Sequence, residues 1–84
     1  MPNELWASER VLELVALALD CRRSELDETS GLGRHPKWDS LGHISIMAAL
    51  EQECGVTLTE KTVSHLITVS KIVEHVTNLS KSHD

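Results

Sequence analysis

Apolar residues recur at helical spacing in three stretches of the chain. From Asn3 to about Asp20 leucine, valine and alanine return every three or four positions, with charged residues between them. The pattern restarts over residues 38–54 and stops before Gly55, a residue suited to the position just past a helix C-terminus. It starts again near Thr68 or Val69 with a stripe formed by Val69, Ile72, Val73, Val76 and Leu79. The spacing predicts three sizeable helices.

The segments between these helices have a different character. Residues 21–39 contain acidic residues around Leu26 and then Gly31, Gly33 and Pro36, a composition that indicates a long loop. Thr59 is suited to cap a brief helical turn over residues 60–65. We therefore expect an all-α fold, a small four-helix bundle of three longer helices and one short helix with a long loop between helices 1 and 2. Residues 1–84 are expected to form a single domain.

Composition narrows the classes of partner. Apolar residues make up 40% of the chain but aromatic residues only 2%, which predicts a core of aliphatic side chains. Eight Lys and Arg against 13 Asp and Glu give a formal charge of −5. This charge repels a phosphate backbone, so nucleic acid is not the expected partner and a basic protein surface is the more natural complement.

Cysteine and histidine usage gives no indication of a metal site. Cys21 and Cys54 lack the close spacing of zinc ligands, and the five histidines show no ligand-like spacing among themselves. The N-terminus has no cationic stretch followed by an apolar run, and no segment approaches the roughly 20 apolar residues that span a bilayer. We expect reduced cysteines, a cytoplasmic location without membrane insertion, and a monomer.

The second helix carries two apolar stripes where a surface helix needs one. Ile46, Met47, Leu50 and Cys54 are spaced to face a core. Leu41, Ile44 and Ala48 lie on another face, about 140 degrees round the helix. A docking surface for another protein and additional burial beneath the long loop explain this second stripe equally well.

The residues around this helix carry a resemblance to a known family. Asp39-Ser40-Leu41 opens a predicted helix, and it is followed by Ile44, Ile46, Ala49-Leu50-Glu51, the Gly55-Val56 turn, Leu58 and Ile67-Thr68-Val69. In this order and spacing, roughly over residues 36–77, the chain closely resembles the acyl carrier protein family. The Asp-Ser-Leu triplet alone is a weak signal, and its position together with the downstream motifs makes the match specific.

The resemblance implies that Ser40 is the attachment site of 4′-phosphopantetheine, transferred from coenzyme A by a phosphopantetheinyl transferase. Asp39 and Leu41 would support this site, and Asp39 would take part in metal binding by the transferase. The arm's thiol would carry acyl groups as thioesters between acyl-activating, condensing or acyl-transferring enzymes, and the chain itself would not be an enzyme. The alternative is a helical protein-interaction module that keeps the carrier fold without being modified.

Two more residues near Ser40 need an interpretation. Trp38 either packs near the base of the arm, where it would contribute to partner recognition, or packs as a loop aromatic against the bundle. His43 lies three residues after Ser40, the spacing of a general base on one helix face. The chain lacks a Gly-x-Ser-x-Gly elbow and the mass for a substrate pocket, so we reject a serine hydrolase and expect a solvent-facing or partner-facing histidine.

The second helix also departs from the pattern of fatty-acid carriers, which present acidic groups there. This chain has Gly42, His43 and Ser45 at those positions, and Arg34, His35 and Lys37 precede Ser40 closely. Charge complementarity selects partners, so we expect partners other than those of general fatty acid biosynthesis. Specialised lipid, polyketide or peptide-like metabolism is the expected setting, with Leu41, Ile44, Ala48, His43 and Trp38 as candidate recognition residues.

Overall fold

A computed structural model describes residues 3–81, and side chains from residue 7 to residue 79. Four α-helices form this part of the chain: α1 (Asn3–Leu19), α2 (Ser40–Cys54), α3 (Glu60–His65) and α4 (Val69–Lys81). A short 3-10 helix, Arg23–Glu25, interrupts the long loop between α1 and α2. The described residues contain no β-strand. The predicted all-α bundle of three longer helices and one short helix is confirmed.

The core lies where α1 packs against α2 and α4. Its residues are almost all aliphatic, as the composition predicts. The fully buried members are Val11, Val15, Ile46, Leu50, Val56, Leu66, Val69 and Ile72. Trp38, at 0% exposed, is the exception and the largest side chain among them. One loop residue therefore completes a core that contains no Phe, no Tyr and no second Trp among the described side chains.

Local sequence sets the helix ends near the predicted positions. Gly55 takes a left-handed conformation (φ 70°) just past α2, and its N–H donates to the Leu50 carbonyl. The Thr59 hydroxyl accepts a hydrogen bond from the Thr62 N–H and so caps α3. Asp20, the residue just after α1, lies in the left-handed region (φ 54°), and the Cys21 N–H donates to the Ala16 carbonyl at 3.0 Å. Short-range chemistry is enough to place these boundaries.

The long loop is held against the start of α4 by backbone hydrogen bonds. The Leu32 N–H donates to the Ile67 carbonyl at 2.8 Å, and the Val69 N–H donates to the Ser30 carbonyl at 2.9 Å. Gly31 sits between these bonds, so close to residues 67–68 that a Cβ on it would approach the Ile67 carbonyl to 2.5 Å. The loop is therefore an ordered part of the fold that ends at a defined position before α2.

A polar corner forms where the chain leaves α1. The Glu25 carboxylate accepts from the Arg22 N–H and lies 3.0 Å from His35 Nε2, and these two contacts lower the pKa of Glu25. Burial is the main cause that raises the pKa of the neighbouring Cys21 thiol. Cys21 and Cys54 are both free. This corner joins the end of α1 to the turn that precedes Trp38.

Candidate functional site

The start of α2 is built by an aspartate cap. Asp39 has extended backbone angles, and its Oδ1 accepts a hydrogen bond from the Gly42 N–H at 2.9 Å. Its carbonyl accepts from the His43 N–H at 2.8 Å, the first hydrogen bond of the helix. A short acidic side chain at this position accepts a hydrogen bond from a backbone N–H that would otherwise be unpaired. Its negative charge also interacts favourably with the positive end of the helix dipole. Asp39 therefore fixes where α2 begins.

Ser40 is the first residue of α2 and is exposed. Its hydroxyl forms no hydrogen bond with any residue that the structure describes, and the N–H groups of Ser40 and Leu41 likewise donate to no described residue. An accessible hydroxyl beside two unpaired N–H groups at a helix N-terminus is compatible with a phosphate ester. The structure thus displays Ser40 with its reactive atom unobstructed.

Gly42 allows α2 to begin this close to the rest of the fold. A Cβ on Gly42 would collide with the Lys37 carbonyl oxygen and would lie 2.7 Å from Leu19 Cδ2 at the end of α1. The carbonyl belongs to the backbone and has little freedom to move, so a residue with a side chain does not fit at this position without a shift of the backbone. Its missing side chain sets the position of Asp39 and Ser40 relative to α1.

We expect Gly42→Ala to lower the free energy of unfolding by about 2 kcal/mol, since overpacking outweighs the gain in helix propensity. Urea denaturation measures this change. Gly55→Ala is the matched control, because no atom lies within 4 Å of a Cβ there and only the left-handed backbone (φ 70°) is strained. That control should lose about 1 kcal/mol. Equal losses in the two variants would contradict the steric role of Gly42.

The two apolar stripes of α2 face opposite environments. Ile46, Met47 and Leu50 are buried, and Cys54 packs against the core while partly buried. Leu41 is 76% exposed and Ile44 62% exposed, and Ala48 is exposed beside them. The long loop therefore does not cover the second stripe, which removes one of the two explanations open at the level of sequence. An unpartnered apolar strip begins directly after Ser40.

The sequence led us to expect a solvent-facing or partner-facing His43, and this expectation was wrong. It is 6% exposed, and its two ring nitrogens are both occupied. Nδ1 accepts a hydrogen bond from the Trp38 indole N–H at 3.1 Å, so the neutral ring carries its proton on Nε2, which donates to the Val63 carbonyl at 2.7 Å. His43 therefore links the long loop, α2 and α3, and its ring is buried rather than facing solvent.

The prediction that Trp38 contributes to partner recognition also has to be corrected. Its side chain has no exposed surface and lies in the core, with its ring centroid 6.3 Å from that of His43. The packing interpretation of Trp38 is the one that the structure supports. Sequence reasoning missed the Trp38–His43 pair because a residue in a loop and a residue in a helix share no periodicity. The one available signal was the demand of a buried indole N–H for an acceptor.

The arrangement has the form of a carrier domain: a small helical bundle that displays an unobstructed serine at a helix N-terminus next to an exposed apolar strip. A family model described as the phosphopantetheine attachment site matches residues 9–76, most of the chain. The chain belongs to this family, and membership implies covalently attached 4′-phosphopantetheine. Comparison with curated proteins and with solved structures gives no significant match.

Family membership also indicates the general classes of partner enzyme. Carrier domains of this kind interact with a phosphopantetheinyl transferase and with enzymes that handle acyl groups. Within residues 3–81, none of the helices has the length and apolar character that crossing a membrane requires.

Proposed function

We propose that the chain is an acyl carrier protein and that Ser40 is its phosphopantetheine acceptor. The observation that carries this proposal is the position of Ser40: it is exposed, its hydroxyl has no partner among the described residues, and it begins α2 inside the segment matched by the family model. When bound, the group supplies a flexible arm with a terminal thiol that holds acyl groups as thioesters.

The residues present fit a phosphodiester at this position. The unpaired N–H groups of Ser40 and Leu41 can donate to its oxygens, and the helix dipole favours its negative charge. Asp39 uses Oδ1 to hold the Gly42 N–H, whereas Oδ2 accepts no hydrogen bond from a described residue. We propose that this second oxygen is the group that Asp39 offers to the metal ion of the transferase.

Ser40 acts as an acceptor in this proposal, and the chain catalyses nothing by itself. The histidine nearest in sequence cannot serve as a general base for Ser40, because His43 already donates to the Val63 carbonyl and accepts from Trp38. Incubation of the full chain with coenzyme A and a broad-specificity phosphopantetheinyl transferase tests the proposal. We expect intact-mass spectrometry to show the addition of one phosphopantetheinyl group. An unchanged mass would favour the unmodified interaction module.

Leu41, Ile44 and Ala48 are the proposed contact surface for partner enzymes. They are exposed, apolar and contiguous with Ser40, so a partner that covers them also reaches the arm. The first turn of α2 has no acidic residue, and Arg34 and Lys37 are exposed just before it. This charge pattern supports a dedicated set of partners in specialised lipid, polyketide or peptide-like metabolism. The cytoplasmic location and the monomeric state remain predictions from the sequence.

We expect Ile44→Asp to lower kcat/KM for the transferase by at least roughly tenfold, because a carboxylate buried in an apolar contact is strongly unfavourable. The matched control is Asn78→Asp, which adds the same charge on the exposed side of α4. The rate of modification at fixed transferase concentration measures the effect. Equal rates for the two variants would contradict a contact at Ile44.

A further inference from the structure

Three side chains with metal-ligating atoms converge at the corner between α1 and the turn before Trp38. Cys21 follows the end of α1, Glu25 ends the 3-10 helix, and His35 belongs to the turn. One ligand atom from each lies within 4.8 Å of the other two. Within this cluster, His35 Nε2 and Glu25 Oε1 are 3.0 Å apart. No family motif and no spacing rule singled out this cluster, because its members come from three separate segments.

The chemistry of the donors points to a borderline-soft divalent cation. A thiolate, an imidazole and a carboxylate are the ligand types that zinc takes in open sites, where water fills the fourth position. Tetrahedral bonds of about 2.0–2.3 Å put ligand atoms about 3.3–3.8 Å apart, so the three groups need to shift by only about 1 Å. We propose that Cys21, Glu25 and His35 bind a zinc-class cation. The sequence alone predicted no metal site here.

Binding at this corner has identifiable costs. His35 Nδ1 accepts a hydrogen bond from the Lys37 N–H at 3.0 Å, and ligation through Nε2 moves the ring proton to Nδ1 and breaks that bond. The Cys21 thiol releases its proton to solvent when the sulfur binds. The Lys37 ammonium donates to the Asp20 carbonyl at 2.6 Å and acts electrostatically on both Cys21 and Glu25. We therefore expect weaker binding than in closed structural zinc sites.

A bound cation would tie the long loop to the end of α1. His35 precedes Trp38 by three residues, and the Trp38 N–H donates to the His35 carbonyl at 3.0 Å. The cation would therefore stabilise the segment that leads into Ser40, by an amount that depends on its free concentration. This role is independent of whether Ser40 is modified.

Titration of the full chain with Co²⁺ tests the site, because a thiolate bound to Co²⁺ gives a charge-transfer band in the near ultraviolet. Every variant carries Ser40→Ala as well, so that an arm thiol cannot contribute. We expect the parent to show the band, and Cys21→Ser and His35→Gln to weaken Co²⁺ binding by roughly tenfold or more. Cys54→Ser and His65→Gln, which change the same residue types elsewhere, should bind like the parent.

Absence of the band in the parent would overturn the proposal, as would a band that survives in Cys21→Ser or disappears in Cys54→Ser. Circular dichroism verifies that each variant keeps its helices. Lys37→Met provides a test that loss of folding cannot imitate, since removal of the neighbouring positive charge should tighten Co²⁺ binding. Weaker binding in Lys37→Met would count against a cation at this corner. None of these outcomes depends on the function proposed for Ser40.

Discussion

Replacing Ser40 with alanine is expected to abolish the addition of phosphopantetheine completely. The transfer joins the phosphate to a hydroxyl oxygen, and alanine has none to offer. Ser40 is exposed, and its hydroxyl forms no hydrogen bond with a described residue, so the substitution removes no internal contact. The free energy of unfolding should change by less than about 0.5 kcal/mol. Intact mass after incubation with coenzyme A and the transferase is the measurement.

Ser45→Ala is the matched control for Ser40→Ala. Ser45 is also exposed and lies on the same helix, but it is in the second turn, away from the unpaired N–H groups. The Ser45 variant should gain the same mass as the unmodified sequence and at a similar rate. A mass gain that survives in Ser40→Ala would show that another residue is the acceptor. A mass gain lost in both variants would show that the transferase does not tolerate substitutions on this surface of α2, and the loss in Ser40→Ala would then not identify the acceptor.

Replacing Trp38 with alanine is expected to have the largest effect on stability. Trp38 is 0% exposed, and truncation of a fully buried aromatic side chain costs about 3–5 kcal/mol. An 84-residue chain is stabilised by only about 4–12 kcal/mol in total, so this loss removes from about a quarter to all of the free energy of unfolding. Urea denaturation followed by circular dichroism measures the loss. A change below about 1 kcal/mol would contradict the core position of Trp38.

Trp38→Phe separates the hydrogen bond of Trp38 from its packing. Phenylalanine keeps an aromatic ring in the core but leaves His43 Nδ1 without its donor, which costs about 1–3 kcal/mol. In a double-mutant cycle with His43→Leu, the two losses should be non-additive by about 1 kcal/mol. Val11→Ala with His43→Leu is the control, since Val11 is fully buried in α1 and has no polar atom in its side chain. Additive losses in the first cycle would mean that the Trp38–His43 bond contributes no stability.

The positions of the helices were predictable because each depends on neighbours in sequence. The capped turn over residues 60–65 matches α3 in both bounds, and the start near Thr68 or Val69 matches α4. Hydrophobic spacing, a Thr59 hydroxyl and a glycine after α2 act over three or four residues, which is the range that periodicity can detect. The split of α2 into a buried and a second apolar stripe was visible for the same reason.

Whether the second apolar stripe of α2 is buried or exposed was decided by the tertiary structure. Exposure of Leu41 and Ile44 depends on the path of a long loop, and hydrogen bonds between residues 30–32 and residues 67–69 set this path. Partners so distant in sequence leave no periodic signal. His43 was wrongly expected at the surface for a related reason: the acceptor and donor that bury it, Val63 and Trp38, lie on other elements.

The sequence by itself determined the all-helical class, the approximate helix boundaries and the serine at the start of α2. These follow from local spacing and from a motif whose residues are contiguous. Only the tertiary structure decided that Trp38 and His43 form a buried pair, that Leu41 and Ile44 stay exposed, and that Cys21, Glu25 and His35 meet at one corner. Such contacts join segments whose distance in space is fixed by packing, and no pattern along the chain records that distance.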